Sequence, residues 1–148
     1  GGIIASSTII ESQVMVVDLN DLGLLTWNNG INLFTGATAT ALKTGEANTS
    51  LIISTQGAGV YAASATRTGI IPWDLPSKDE LNEIYVNLTA INAGISNSGG
   101  TIIDTFNHWS STEFDINSAW YQDFLSGFQN GNGKNGTFSV RAVRWVNI

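Results

Sequence analysis

The sequence predicts an α+β domain, with one amphipathic helix packed against short strands joined by Gly- and Asn-rich loops. The first observation is the stretch Trp73 to Ile91. Ser77 stands at an N-cap position with Glu80 three residues on, which makes a capping box, and Pro76 fixes the approach of the chain. Asp79 and Glu80 place acids at the positive end of the helix dipole. Leu81, Ile84, Tyr85, Leu88 and Ile91 recur at three- and four-residue spacing, so the helix runs from Ser77 to about Ala90 with one buried face. The second observation is period-two alternation in Ser118–Phe124 and Phe138–Val146. The third is length: 148 residues without a linker or repeat suit a single domain, 1–148, around one core.

Taken in order, Gly2–Ala5 and Gln13–Leu19 are β-branched or apolar runs and read as strands. The turn signal Asn20-Asp21 predicts a hairpin to Leu24–Trp27, and Trp27–Gly30 opens an irregular stretch. Ala37–Lys43 alternates Thr with Ala and stays ambiguous. A short helix follows, capped by Asn48 or Thr49, with Leu51, Ile52 and Ile53 facing inward and Gln56–Gly59 ending it. Val60–Thr66 fits a helix or a loop equally. Beyond the main helix, Asn92–Gly100 reads as a loop. Asn107–Thr112 and Ser118–Phe124 read as strands, the latter with Trp120, Gln122 and Phe124 on one face and Tyr121 and Asp123 on the other. Gly127–Gly136 is a long Gly/Asn segment, of which Gly131–Gly136 reads as a flexible loop before the last strand. The closing strand, Phe138–Val146, puts Phe138, Val140, Ala142 and Arg144 on one side and Ser139, Arg141, Val143 and Trp145 on the other.

Composition excludes several functions. Only 12% of residues are charged, 43% are hydrophobic and five are Trp, so the chain is not disordered. The net charge of −6 makes nucleic acid and anionic membranes poor partners. No apolar run is long enough to span a bilayer, so no membrane insertion is expected. Cysteine is absent, which removes disulfides, thiolate metal sites and a Cys nucleophile.

A set of segments carries a family resemblance: Thr40–Gly45 with Asn48-Thr49 and Ile52-Ile53, Trp73–Leu81, Trp109–Glu113, Ala119-Trp120, Gln122, Phe124, Gly127, Gln129, Lys134 and Val140–Arg144. In order and spacing they resemble the C-terminal domain of bacterial collagen-like adhesins. The resemblance implies a C-type-lectin-like fold: two helices flanking a small, mostly antiparallel sheet, with the N- and C-terminal strands paired. The same fold carries the variable proteins of diversity-generating retroelements and phage receptor-binding tips. It therefore implies a domain at the C-terminus of a longer fibre or adhesin, on an extracellular or virion surface. Its partner would be a host-surface protein or glycan, and its assembly a homotrimer. Two other readings follow: a retroelement-diversified display protein, or a trimerisation or fibre-capping module without a ligand.

Chemical motifs are scarce. The Glu-Pro-Asn or Gln-Pro-Asp triplet that places oxygens around calcium in sugar-binding lectins is absent, so no metal and no cofactor is expected. His108, Glu113 and Asp115 are acid–base candidates close in sequence, but no triad or carboxylate pair can be named, and the domain reads as no enzyme. Gly131–Gly136 lacks phosphate-loop spacing. Arg141 or Arg144 is expected to form a structural ion pair with Glu113 or Asp104. Trp73, Trp109, Trp120 and Trp145 read as core. Binding is the remaining signal. Asn107, His108, Phe114, Asp115, Asn117, Tyr121, Asp123, Phe128, Asn130, Asn132 and Asn135 interleave aromatic and small polar residues, the mixture that recognition loops use. They are the candidate ligand contacts.

Overall fold

The computed structural model describes residues 1–148, the side chains of Ser6 and Ser7 apart. Its order is β1 (Gly2–Ile10), β2 (Gln13–Asp18), β3 (Leu24–Thr26), α1 (Gly45–Gln56), α2 (Ala62–Thr66), α3 (Lys78–Val86), α4 (Leu88–Asn97), β4 (Asn107–Glu113), β5 (Ser118–Asp123), β6 (Gln129–Gly133), β7 (Thr137–Ser139) and β8 (Val143–Asn147). The strands form two sheets, ordered β1-β2-β8 and β3-β7-β4-β5-β6. The C-terminal strand joins the N-terminal hairpin by pairing antiparallel with β2, Val16 opposite Arg144. This is the α+β, C-type-lectin-like architecture, with four helices rather than two.

The predicted capping box is present: Glu80 N donates to Ser77 Oγ, and Ser77 N to Glu80 Oε2 at 2.8 Å. Glu80 does more than cap. It is 1% exposed, and its Oε1 also accepts Lys43 N at 2.8 Å and Trp145 Nε1 at 2.9 Å. Burial pushes its carboxyl pKa up, against these stabilising hydrogen bonds. Leu81, Ile84 and Ile91 are buried, while Tyr85 and Leu88 are half-buried against the same core. The helix breaks at Asn87 and resumes as α4, which continues to Asn97. Most of the predicted loop Asn92–Gly100 is thus helix. Its small polar residues masked Ile95, which lies four residues beyond Ile91 and shares its place in the core. Gly94 lets β1 approach: a Cβ there would lie 3.1 Å from Ile3.

Three further expectations change. First, β3 pairs with β7, Leu25 opposite Phe138, and not with β2. The chain leaves the small sheet after Asp18, and Gly23, at φ +87°, turns it into the large one. Second, the closing strand is two strands. β7 belongs to the large sheet, Val140–Ala142 cross over, and β8 belongs to the small one. Arg141 lies in this crossing at 2% exposure. Its Nη1 donates to Asp18 O at 3.1 Å and its Nη2 to Thr101 O at 2.7 Å, so it makes no ion pair with Glu113 or Asp104. Third, α1 starts at Gly45 with Thr44 as N-cap. Asn48 and Thr49 are interior, bonded to Ala39 O and Gly45 O. Ile52 is buried and Leu51 exposed.

Two hydrophobic clusters result. One unites α3, α4 and the small sheet through Met15, Val17, Leu81, Ile84, Ile95 and Phe124. The other joins α1, α2 and the large sheet through Trp27, Ile52, Tyr61, Leu75, Trp109 and Val140. Trp27 and Trp109 are fully buried, whereas Trp73, Trp120 and Trp145 are only half-buried.

Candidate functional site

The large sheet positions the candidate contacts. β4 and β5 form an antiparallel hairpin that turns at residues 114–117, and β5 and β6 a second that turns at 124–128. The candidates therefore divide between the two ends of the sheet. Phe114, Asp115, Asn117 and Asn135 lie at one end, and Asn107, Asp123 and Phe128 at the other.

The first end is built on a buried ion pair. Beyond Trp109 the register of β4 shifts, and Glu113 N bonds Ala37 O at 2.7 Å. Glu113 and Lys134 both have fully buried side chains and meet at 2.6 Å. Lys134 Nζ spends its other two protons on Leu33 O at 3.0 Å and Ile116 O at 2.8 Å. Its ammonium lies 4.8 Å from the Trp27 ring centroid. The Glu113 carboxylate also accepts Thr35 N and Thr35 Oγ1, each at 3.0 Å to Oε2. Gly131–Gly136 is thus no flexible loop: its first half is β6, and Lys134 pins its end into the interior.

This pair clamps two loops side by side, 31–35 and 114–117, and Asn32 Nδ2 bridges them to Asn117 Oδ1 at 3.3 Å. Both loops turn apolar side chains to solvent. Ile31 is 65% exposed, Phe34 64%, Ile116 49%, Phe114 47% and Leu33 38%. The Phe114 ring lies over Gly131, where a Cβ would come within 2.7 Å of it, and 4.9 Å from the Trp120 ring. Lys78 Nζ is 4.5 Å from the Trp120 centroid. Sequence reading picked out the turn that holds Phe114 but missed Ile31, Leu33 and Phe34. The one available signal was an apolar Ile-Asn-Leu-Phe run inside a stretch that otherwise reads as irregular.

At the other end, Asp123 caps its own turn, accepting Leu125 N at 2.8 Å and Ser126 Oγ at 3.0 Å, and these bonds hold its carboxyl below the usual range. Asn107 pairs with Asp123 across the hairpin. A shallow cleft of about 300 Å³ opens there between Leu24, Phe106, Leu125 and Phe138. Phe128 is exposed beside it in the same turn.

Four candidates lie between the ends. Tyr121 is opposite Trp109 in register, so it shares that residue's face and does not oppose it. Its ring is half-buried, 5.0 Å from Phe138. Asn130 pairs with Tyr121 and is exposed; Asn132 pairs with Ala119 and is half-buried. His108 is 1% exposed, stacked on Phe124 at 4.3 Å, with Nδ1 2.9 Å from Phe106 O. Burial pushes its pKa down, and no ligand can reach it. With His108 enclosed and Glu113 neutralised by Lys134, the acid–base candidates share no cleft.

Among the described residues, no three His, Cys, Asp or Glu side chains are grouped to hold a metal ion, and no helix is long and apolar enough to cross a membrane. What the sheet ends offer is apolar area edged by amides, a chemistry of contact.

No curated protein matches the chain in sequence. Residues 15–144, from the second strand into the last, match the Lcl C-terminal domain. With the split sheet, the capped helix and this match covering most of its length, the chain belongs to the Lcl C-terminal domain family.

Proposed function

We propose that this domain is a non-enzymatic receptor- or ligand-binding module of adhesive type, displayed on an extracellular or virion surface. The carrying observation is the tip formed by loops 31–35 and 114–117. Five apolar side chains stand exposed on backbone that a fully buried ion pair holds rigid. Exposed Phe and Ile in one patch favour association, and a rigid backbone lowers the entropy lost when a partner binds. Asp115, Asn117 and Asn135 supply the polar rim that such patches carry. Asn107, Asp123, Asn130 and Phe128 form a second, more polar surface at the far end and edge of the sheet, and the tip is the stronger anchor.

The test is retention of labelled domain on immobilised host-surface proteins, on glycans and on intact cells. The variant carries Phe34→Ser, Phe114→Ser and Ile116→Ser. Lost retention with unchanged thermal unfolding is the expected result. Retention that survives these changes, but is lost on altering Asp123 and Phe128, moves the site to the other end.

The same exposed apolar tip supports a second reading, contact between copies in a homotrimeric fibre end. Light scattering on both proteins separates the two. A trimer that dissociates in the triple variant makes the tip a subunit contact; an unchanged assembly leaves it to a ligand.

A further inference from the structure

A second cleft, of about 380 Å³, shares no residue with the tip. It lies where β8, the start of α1 and the segment after α2 converge. Its size falls in the range of small-molecule pockets. Its charges can be accounted for one by one. Lys43 Nζ is 2.7 Å from Glu11 Oε2. The Arg67 guanidinium grips Asp74 through Nη2 and Nε, and Nε also donates to Trp73 O at 2.8 Å. Those two pairs cancel. Two charges on the wall remain. Arg144 makes no ion pair among the described residues; its Cζ lies 5.1 Å from the Trp73 ring centroid, and its buried Nε has no hydrogen-bond partner. The Glu46 carboxylate, in the first turn of α1, is likewise unpaired among the described residues.

We propose that this cleft binds a small zwitterion, an amino acid whose carboxylate docks on Arg144 and whose ammonium docks on Glu46. Three features carry the inference. The Trp73 ring beside the guanidinium favours it by a cation–π contact, and the fork remains suited to bidentate capture of a carboxylate. A lone anion would meet Glu46 and a lone cation would meet Arg144, so a ligand bearing a single charge leaves one wall unmatched. A ligand carrying both charges matches both. Ile71, Pro72 and Trp145 also line the cleft, beside Gln13, and give the ligand's carbon chain an apolar surface.

The probes are glycine, β-alanine, γ-aminobutyrate and ε-aminohexanoate, compared with acetate and butylamine. Binding is read from the Arg144 Nε–H resonance and by calorimetry. At least one amino acid should bind tenfold or more tighter than either singly charged probe, and the best member reports the spacing of the two charges. Glu46→Gln, an exposed change that leaves the core untouched, should bring that amino acid down to the affinity of acetate. Arg144→Gln should bring it down to that of butylamine. The inference is overturned if no amino acid outbinds acetate, or if Glu46→Gln leaves amino-acid affinity unchanged. Neither change should alter retention through the tip, so the two sites fail independently.

Discussion

Replacing Lys134 with methionine tests how the tip is held. Methionine keeps most of the side-chain length beside Trp27 and removes only the ammonium. Three hydrogen bonds vanish with it, to Glu113 Oε2, Leu33 O and Ile116 O. Glu113 keeps its two bonds from Thr35 but stays buried, 3% exposed, with no counter-charge. Removing one partner of a buried ion pair costs about 3–5 kcal/mol. At roughly 2–4 °C per kcal/mol for a chain of this size, Tm should fall by roughly 6–20 °C. Urea unfolding should show a lower midpoint at an unchanged slope, the signature of lost stability without a changed denatured state. The double variant Glu113→Leu with Lys134→Met should recover part of the loss, because an apolar pair carries no stranded charge. A single-variant loss below about 1 kcal/mol, within the range of surface pairs, would refute the view that this pair clamps the tip.

Three further outcomes are expected. Leu81→Ala, at a site 1% exposed in the core beneath α3, should cost about 2–5 kcal/mol by chemical denaturation; a loss within surface scatter would count against the packing described. Gly131→Ala should push the Phe114 ring off β6, so tip binding weakens severalfold while the melting temperature moves little; unchanged binding would show that the ring position is irrelevant. His108 has a pKa lowered from 6.5, chiefly by burial and also by Arg141, against the pull of Asp104 and Asp21. A base that resists protonation when folded contributes stability above about pH 6.5 that is lost as pH falls through the lower folded value. The unfolding free energy of wild type minus that of His108→Gln should therefore shrink from pH 7.5 to pH 5, and a flat difference would contradict it. Comparison with the variant is needed because Asp74 and Glu80, whose pKa values burial raises, change stability in the opposite sense.

What the sequence by itself determined was local chemistry. The Ser77–Glu80 box, the apolar face from Leu81 to Ile91, the end of α1 at Gly57 and the alternation in β5 each depend on residues a turn or two apart, so short-range spacing reveals them. The resemblance carried by Trp73–Leu81 and Val140–Arg144 extended this to the fold class. Tertiary structure decided the rest. Glu113 and Lys134 are 21 residues apart, and Arg141 bonds a carbonyl 123 residues earlier, so neither partner could be read from spacing. Phe138–Val146 shows unbroken alternation, yet splits between two sheets, because pairing partners and not pattern decide where a strand ends. Tyr121 and His108 read as accessible candidate contacts in predicted strands. One is half-buried and the other enclosed, since the faces of β4 and β5 are set by the elements that cover them. The apolar tip was hidden for the same reason. Loops 31–35 and 114–117 are distant in sequence, and the buried charge pair beneath them, with the Asn32–Asn117 bridge, brings them together.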